Sequence, residues 1–273
     1  MAKPFDTKRY AVKPGKPVKL KDWNPAECRL SFRDSVLDAK LLAEKSDQLD
    51  KLQDLLYAEH KHKILIVLQG MDASGKDGTI RHVFNSVDPL GVHVASFKAP
   101  TEAELNHDYL WRIHSQVPGK GEIVIFNRSH YEDVLIVPVH GWITPEECGN
   151  RYRQINEFER LLSDSGTTII KCFLYISKDE QKTRFEERLV DPEKHWKFRL
   201  GDLEERKLWK KYMQAYEGAL AATSSKWAPW YVIPANSKTE RNLVISSLLV
   251  HTLEKLNMRY PEPEEDLSNV VVE

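Results

Sequence analysis

A glycine-rich stretch has the residue types and spacing to bind the phosphate groups of a substrate. The stretch runs Gly70-Met71-Asp72-Ala73-Ser74-Gly75-Lys76-Asp77-Gly78 and lies between a short apolar run and a helical pattern. It contains G-x-x-x-x-G-K, in which glycines let the backbone fold around an anion whose oxygens face successive N–H groups and a helix N-terminus. Lys76 would place positive charge at the transferring phosphate. The alternative is a glycine-rich turn with no ligand.

The residue after the lysine departs from the strict phosphate-loop pattern. That pattern has Ser or Thr there, whose hydroxyl holds Mg²⁺, whereas this chain has Asp77 and a second carboxylate, Asp72, inside the loop. Carboxylates among phosphates need a hard cation between them, and Mg²⁺ is commonly held by one or two carboxylates plus phosphate oxygens. We therefore expect Asp72 to be a metal ligand or a base. For Asp77, metal binding and simple stabilisation by the helix dipole stay equally open.

A second polar cluster follows the apolar run Ile123–Phe126. It reads Asn127-Arg128-Ser129-His130-Tyr131-Glu132-Asp133, and the carboxyl ends of core strands are where open α/β sheets bind ligands. Arg128 could clamp a phosphate bidentately. Asn127 replaces the acid that often helps to hold the metal, and Glu132 or Asp133 could supply a carboxylate one turn later. We expect His130 to be a polar histidine at the rim rather than a proton carrier.

A basic segment follows the helix that starts after Ser177. Arg184 and Arg188 share a face of that helix, and residues 194–199 contain three Lys or Arg and no acid. This proline-broken segment, residues 184–209, has the position of a mobile lid, and its cations suit a highly charged phosphate donor. Its interleaved aromatic residues could instead stack on a base. The alternative is that Lys194, Lys197 and the arginines are solvated surface charges.

The elements that would position these groups alternate along the chain. Apolar, partly β-branched runs predict buried strands at 64–68, 92–97, 123–126, 168–176 and 230–233. Helix start signals lie between them: capping boxes at Thr101 and Ser177, and Thr144 before a proline. Amphipathic spacing predicts a helix or helix pair over 31–60. The order predicts an α/β fold with a mostly parallel, doubly wound sheet.

Composition limits the class of protein. The 273 residues include 41% hydrophobic and 30% charged residues, which excludes a collagen-like or largely disordered chain. Forty basic and 41 acidic residues nearly cancel, which argues against a nucleic-acid-binding module. Three cysteines without a C-x-x-C pair indicate reduced thiols. Because no apolar run is long enough to span a bilayer and no secretory signal is evident, we expect no membrane partner and a cytoplasmic location.

Domain boundaries follow from these patterns. We expect an N-terminal arm over 1–30, lying on the surface or on a partner subunit, and a single phosphate-loop domain over 31–260 that includes the lid. Residues 261–273 begin with Pro261-Glu262-Pro263-Glu264-Glu265-Asp266 and predict an irregular acidic tail.

Together, these motifs resemble the polyphosphate kinase 2 family of phosphotransferases. The likeness rests on the 71–78 loop, the 126–133 strand end and Trp196-Lys197-Phe198, with further similar stretches at 96–98, 108–112 and 228–231. It extends from about Tyr10 to the tail. An Asp directly after the loop lysine, combined with the second motif, is far more specific than a phosphate loop alone.

The resemblance implies a thymidylate-kinase-like P-loop kinase fold, with five parallel strands between helices and a helical lid. It implies transfer of the terminal phosphate of inorganic polyphosphate to ADP and AMP, or to their guanine counterparts, with Mg²⁺ or Mn²⁺. The reverse transfer stays open as well. By this likeness Asp72 and Lys76 handle metal and phosphate, Arg128 meets the nucleotide's phosphates, and Arg188, Lys194 and Lys197 line the polyphosphate channel. Residues that we assign to the nucleotide are Lys98, Asp108, Arg112, Arg128, Glu132 and Asp133.

Asn127 departs from the many members that carry Asp before that arginine. The departure shifts the second metal contact to Asp133 and resembles the branch, often called class III, that phosphorylates both nucleoside monophosphates and diphosphates. Members are often dimers or tetramers, and the helical region 31–60 could supply that contact.

Two rival functions remain open at this point. One is a nucleoside monophosphate kinase with ATP as donor, and the other is a non-catalytic polyanion-binding module. A GTPase fits less well, because the D-x-x-G match at Asp88 to Gly91 precedes a strand instead of following one.

Overall fold

A parallel five-stranded sheet forms the centre of the molecule. The computed structural model describes residues 5–263, 265, 270 and 272. The strands are β1 (Lys63–Gln69), β2 (Val92–Ser96), β3 (Ile123–Asn127), β4 (Thr167–Tyr175) and β5 (Trp230–Pro234). Their order across the sheet is β2-β3-β1-β4-β5, and every neighbouring pair is parallel. All five predicted strands and the α/β fold are confirmed.

Helices cover both faces of the sheet. They are α1 (Ser35–Glu59), α2 (Lys76–Val83), α3 (Glu102–Leu105), α4 (Trp111–His114), α5 (Ile136–Val139), α6 (Pro145–Asp164), α7 (Lys178–Val190), α8 (Leu200–Lys207), α9 (Trp209–Thr223) and α10 (Lys238–Glu254). Short 3₁₀ turns lie at Thr7–Arg9, Leu20–Asp22, Pro89–Gly91, His130–Val134 and Pro192–Lys197. Two apolar clusters, one on each face of the sheet, form the core.

The register of the central strands explains where polar groups gather. β1 is almost wholly buried because its residues are apolar on both faces. Leu68 near its end is level with Asn127 of β3 and Cys172 of β4. The phosphate loop after β1 and the polar cluster after β3 therefore emerge side by side at one edge of the sheet.

Helix starts agree with the cap signals in the sequence. Thr101 and Glu104 form a reciprocal capping box before α3. Thr144 caps α6, which has Pro145 in its first turn, and Ser177 caps α7. The region predicted as a helix or helix pair is one helix, α1, which packs along α10 and buries Leu49 and Leu56 in the core.

The N-terminal arm differs from the prediction of a surface arm. Tyr10, Val12 and Leu20 are buried in the core. Ala11 pairs antiparallel with Tyr231 of β5, because the Val12 N–H donates to the carbonyl of Trp230 and the Val232 N–H donates to that of Tyr10. The arm therefore covers the free edge of β5 and is part of the same folded unit.

The predicted lid, residues 184–209, is mostly helical, since it contains the end of α7 and all of α8. Between α7 and α8 the chain forms the 3₁₀ turn Pro192–Lys197. Of the predicted tail 261–273, the described residues lie outside helices and strands, and 264, 266–269, 271 and 273 lie outside the described residues. Among the helices of the described residues, none has the length and apolar character needed to cross a bilayer.

Candidate active site

The loop between β1 and α2 has the backbone conformation that its glycines predict. Ala73 and Gly75 have positive φ values of 62° and 106°, and the Ser74 N–H donates to the Met71 carbonyl. A Cβ at Gly70 would lie 2.8 Å from the carbonyl oxygen of Leu174, so only glycine fits against β4 there. Gly75 immediately precedes α2, so the loop opens onto a helix N-terminus.

Lys76 is held inside this loop. Its Nζ donates to the carbonyls of Gly70 at 2.7 Å and Met71 at 3.4 Å. Burial, with a smaller contribution from the nearby Arg128 charge, lowers the pKa of Lys76 to about 8. An anion in the loop would stabilise the charged form of this lysine.

The strand-end cluster meets the phosphate loop through two direct contacts. The Asn127 side-chain amide donates to Asp77 Oδ1 at 2.7 Å. The Arg128 guanidinium donates to Asp72 Oδ1 at 2.9 Å and lies 3.5 Å from Glu132 Oε2. The structure therefore brings five predicted site residues together at the sheet edge.

Arg128 has a backbone conformation that is unusual for a side-chain-bearing residue. Its φ is 63°, in the left-handed region, and its N–H donates to the Leu68 carbonyl of β1. That turn directs the side chain towards the loop, where 40% of it stays exposed. It can contact both a bound phosphate and Asp72.

Asp133 lies away from this meeting point, unlike the prediction of a second metal ligand. Its carboxylate accepts from Arg151 at 3.2 Å, and burial raises its pKa to about 6. The charges that act on Lys76 are instead those of Arg128, Asp72, Glu132 and Asp77. Because the two aspartates face different partners, the contacts do not place them around one ion.

Arg112 is a structural residue in this conformation, although we predicted that it contacts nucleotide. It is buried, donates to the Lys98 carbonyl at 2.9 Å and lies over the ring of Phe97. Asp108 accepts from the Leu110 N–H and caps a turn. The Lys98 and Asp108 side chains are both exposed, so these two predicted acceptor-side residues remain open to solvent.

Arg184 also differs from the prediction of a polyphosphate-binding lid residue. It is buried, and each of its N–H groups has a protein acceptor. These acceptors are Glu180 Oε1 and the carbonyls of Ala73, Ser74, Ala235 and Asn236. With its donors engaged in this way, Arg184 supports the phosphate loop from behind.

Acidic neighbours partly neutralise two of the other lid cations, Arg188 and Lys194. Arg188 lies 3.8 Å from Asp202 and donates to the Lys197 carbonyl. Lys194 pairs with Asp191 at 2.7 Å but is half exposed. The Lys197 ammonium lies 4.9 Å from the centre of the exposed Trp196 ring.

Helix α8 brings a further acid towards the loop. Burial, and then repulsion by Asp72, raises the pKa of Asp202. Arg206 of the same helix donates to Gln181 Oε1, and the Gln181 amide donates to the Asp72 carbonyl. The lid helix is thus connected to the phosphate loop.

Comparison with known proteins identifies the family. The family model for polyphosphate kinase 2 matches residues 33–261, most of the chain. The chain belongs to the polyphosphate kinase 2 family. Its members transfer phosphate between polyphosphate and nucleotides and depend on a metal ion, so the chain is a polyphosphate:nucleotide phosphotransferase. This excludes the non-catalytic rival and confirms the family resemblance.

Individual relatives agree over nearly the whole length. The chain is 56% identical to the AMP/ADP-polyphosphate phosphotransferase of Meiothermus ruber, over 97% of this chain and 100% of the relative. It is 44% identical to the ADP-polyphosphate phosphotransferase of Rhodopseudomonas palustris, over 94% of this chain and 92% of the relative. The crystal structure of polyphosphate kinase 2 from Arthrobacter aurescens TC1 is similar at a TM-score of 0.93 and 42% identity, covering 98% of this chain and 95% of that one.

Members of the polyphosphate kinase 2 family depend on a metal ion, so the site should contain a residue that can help to hold one. Within the described ranges, no group of three or more His, Cys, Asp or Glu side chains is arranged to hold an ion. Asp72, partly exposed at the mouth of the loop, fits an ion held by one carboxylate together with substrate phosphate oxygens.

His130 is buried, whereas we predicted a polar histidine at the rim. It contacts Glu159 at 3.3 Å, and burial lowers its pKa. Glu159 also accepts from the Tyr131 hydroxyl and from the Lys171 ammonium, and both charged residues are fully buried. This network anchors the turn that carries Arg128. The sequence holds no local signal for it, because its members come from the 3₁₀ turn after β3, from α6 and from β4.

Arg241 is a further residue at this site that the sequence did not indicate. It follows the capped start of α10 and is buried beside Gly75. It belongs to no motif, and it is 167 positions from Ser74, to whose carbonyl it donates.

Proposed function

We propose that this polyphosphate kinase 2 protein transfers the terminal phosphate of inorganic polyphosphate to both ADP and AMP, and that the reaction is reversible. The observation that carries the proposal is the meeting of Lys76, Asp72 and Arg128 at the mouth of one phosphate loop. The high identity to a relative named for both AMP and ADP supports two acceptors.

In the transfer step, Lys76 and Arg128 have different roles. A phosphate oxygen of the acceptor attacks the terminal phosphorus, and the bond to the next phosphate breaks, which leaves a polyphosphate shorter by one unit. Lys76 stabilises charge on the transferring phosphate, and Arg128 holds the acceptor's phosphates. Such transfers depend mainly on positioning and on charge stabilisation.

The metal in this proposal is Mg²⁺, with Mn²⁺ as an alternative. Asp72 would hold it with phosphate oxygens, because Mg²⁺ commonly takes one or two carboxylates plus substrate phosphates. When bound, the ion neutralises negative charge on the phosphates. Arg128 is the partner that Asp72 would share with it, since the two side chains lie 2.9 Å apart.

Asn127 supports the use of two acceptors. Its side-chain amide donates a hydrogen bond to Asp77 Oδ1 at 2.7 Å, so the carboxylate next to Lys76 already has a neutral donor as its partner. An aspartate at position 127 would instead repel Asp77 and need a cation between them. We infer that Asn127 lets the strand end accept acceptors of different phosphate length without a second metal contact.

The lid supports polyphosphate as donor. Lys194 and Lys197 stay accessible to solvent on the turn between α7 and α8, while Arg188 lies beside them. Interior phosphates of polyphosphate carry about one negative charge each, so a row of cations suits it, and salt would screen the exposed contacts within about 10 Å.

Initial-rate measurements test this function. Purified protein would be incubated with Mg²⁺ and either AMP or ADP, with long-chain polyphosphate in one series and ATP plus AMP in another. We expect ADP and ATP to form with polyphosphate. If ADP forms from AMP only when ATP is the donor, the protein is a nucleoside monophosphate kinase. If only one of AMP and ADP is phosphorylated, the proposed role of Asn127 in accepting both is contradicted.

We extend the proposal to guanine nucleotides and to assembly. The described site contacts involve phosphate-binding groups and give no reason to reject GDP or GMP, which the same assay would test. Exposed Phe32, Val36 and Leu37 lie around the start of α1 and support a homodimer or homotetramer that covers them. Light scattering after gel filtration would report the mass, and a monomer would contradict this assembly.

A further inference from the structure

The outer side of the phosphate loop is packed against a buried arginine from the far end of the chain. Arg241 is 2% exposed in the first turn of α10. A Cβ at Gly75 would lie 1.9 Å from its Nη1, and one at Gly78 would lie 3.3 Å from its Nη2. The guanidinium therefore packs directly against the loop, and two loop glycines make room for it.

Among the described residues, no acidic side chain is hydrogen-bonded or ion-paired to this arginine. Its Nε and Nη2 donate to the neutral Asn242 amide oxygen, and its Nη1 donates to the Ser74 carbonyl at 3.4 Å. Over the part of the chain that the structure describes, no carboxylate forms an ion pair with it. Burial, and then repulsion by Arg184, lowers the pKa of Arg241 to about 9.

The adjacent acid in the sequence is already engaged elsewhere. Glu240 is buried, and its carboxylate accepts from the backbone N–H groups of Arg29, Leu30 and Ser31 at 2.8–3.1 Å. Its charge is satisfied by this backbone nest on the N-terminal arm. It fixes the first turn of α10 without neutralising Arg241.

A buried, unpaired cation is costly unless an anion is available to it. The anion-binding element that it touches is the loop of Lys76. We propose that Arg241 is a positioning residue whose buried charge strengthens phosphate binding by the loop from its protein side, out of reach of the substrate. The proposal rests on the loop's binding the phosphate of the proposed reaction.

The size of the effect follows from Coulomb's law. For a separation of about 7 Å between the guanidinium and a bound phosphate, and an effective dielectric constant of about 20, the unit charge would change a binding constant by roughly 50-fold. Because the charge acts on ground state and transition state alike, the Michaelis constant should change more than kcat. Burial also predicts that salt weakens this contribution little.

Binding of inorganic tripolyphosphate, measured by calorimetry, tests the proposal. Arg241→Met removes the charge but keeps a long side chain, and it should weaken binding roughly 50-fold and raise the Michaelis constant for polyphosphate. Arg241→Lys keeps the charge when binding is measured at pH 6, because a lysine whose pKa burial lowers as far as that of Arg241 is still mostly protonated there, and it should bind within about threefold of wild type. The matched control is Lys255→Met, which removes an exposed charge at the other end of α10 and should bind as wild type does.

The outcomes separate the two proposals. If wild type binds tripolyphosphate and folded Arg241→Met binds it equally well, the role of Arg241 is contradicted and the proposed function is not. A folded Arg241→Lys that loses as much affinity as Arg241→Met shows that shape, and not charge, matters, and also overturns the role of Arg241. If Arg241→Met fails to fold, a folded Arg241→Lys that binds roughly 50-fold more weakly than wild type overturns the proposal, and one that binds within about threefold supports it. A wild-type protein that binds no tripolyphosphate contradicts the proposed function and this inference together.

Discussion

Replacing Lys76 with methionine should abolish transfer and make the protein more stable. In the unfolded chain the lysine has its ordinary pKa of 10.5, whereas burial and Arg128 lower it to about 8 in the folded protein. The difference corresponds to an unfavourable contribution of about 3 kcal/mol at neutral pH. Methionine removes that contribution and also the hydrogen bond to the Gly70 carbonyl, which is typically worth about 1 kcal/mol.

The net expectation is a gain of about 2 kcal/mol in the free energy of unfolding, or a rise in Tm of about 4 °C. The unfolded chain binds the Lys76 proton more tightly than the folded protein does, and this fixes how the stability difference between Lys76→Met and wild type changes with pH. The advantage of Lys76→Met should be complete below pH 8 and shrink as the pH rises towards 10.5. Transfer should fall by about a hundredfold or more, because charge at the reacting phosphate is lost.

Urea unfolding at pH 7 and pH 9.5, together with a polyphosphate-dependent ATP assay, would measure both effects. Lys255→Met is the control, because its exposed lysine should change neither quantity. A folded Lys76→Met with near-normal turnover would remove the lysine from the mechanism. A variant less stable than wild type at pH 7 would refute the argument that the lysine is buried at a cost.

Three further changes test other parts of the site. The double variant Lys194→Ala with Lys197→Ala should raise the Michaelis constant for long polyphosphate severalfold, with a smaller effect at high salt, and should leave the Michaelis constant for ADP unchanged. If the Michaelis constants for both substrates rise equally, the lid is a general closing element. Asn127→Asp should shift the AMP-to-ADP rate ratio or the Mg²⁺ titration more than Tm, and identical titrations and ratios would make the position a spectator. Glu159→Gln should lower the free energy of unfolding by about 3 kcal/mol, because it leaves the buried Lys171 without its acidic partner. The control Glu157→Gln, at an exposed position, should leave the free energy of unfolding unchanged, and equal Tm values for the two variants would argue against the buried network.

The sheet and the inner part of the site could be predicted because each has a local signal. Continuous apolar runs fix strands buried on both faces, and polar residues directly after β1 and β3 must meet when those strands are parallel neighbours. The contacts of Asp72 with Arg128 and of Asn127 with Asp77 follow from that register.

Burial of charged residues could not be predicted in the same way. Arg184 and His130 lie in polar local sequence, which suggests surface, but acceptors from distant segments satisfy them inside the protein. Asp133 was indistinguishable from Glu132 until the turn after β3 placed it against Arg151. Tyr10 lies in an arm without periodicity, and only the free edge of β5 gives it a partner. Each of these outcomes depends on tertiary packing.

Transfer of label from polyphosphate tests the central claim most directly. Uniformly ³²P-labelled polyphosphate would be mixed with unlabelled AMP and Mg²⁺ in the absence of ATP, and nucleotides would be separated over time. We predict label first in ADP and then in ATP with wild-type protein, and about a hundredfold less with folded Asp72→Asn. Unlabelled nucleotides with wild-type protein, or undiminished labelling by Asp72→Asn, would contradict the account.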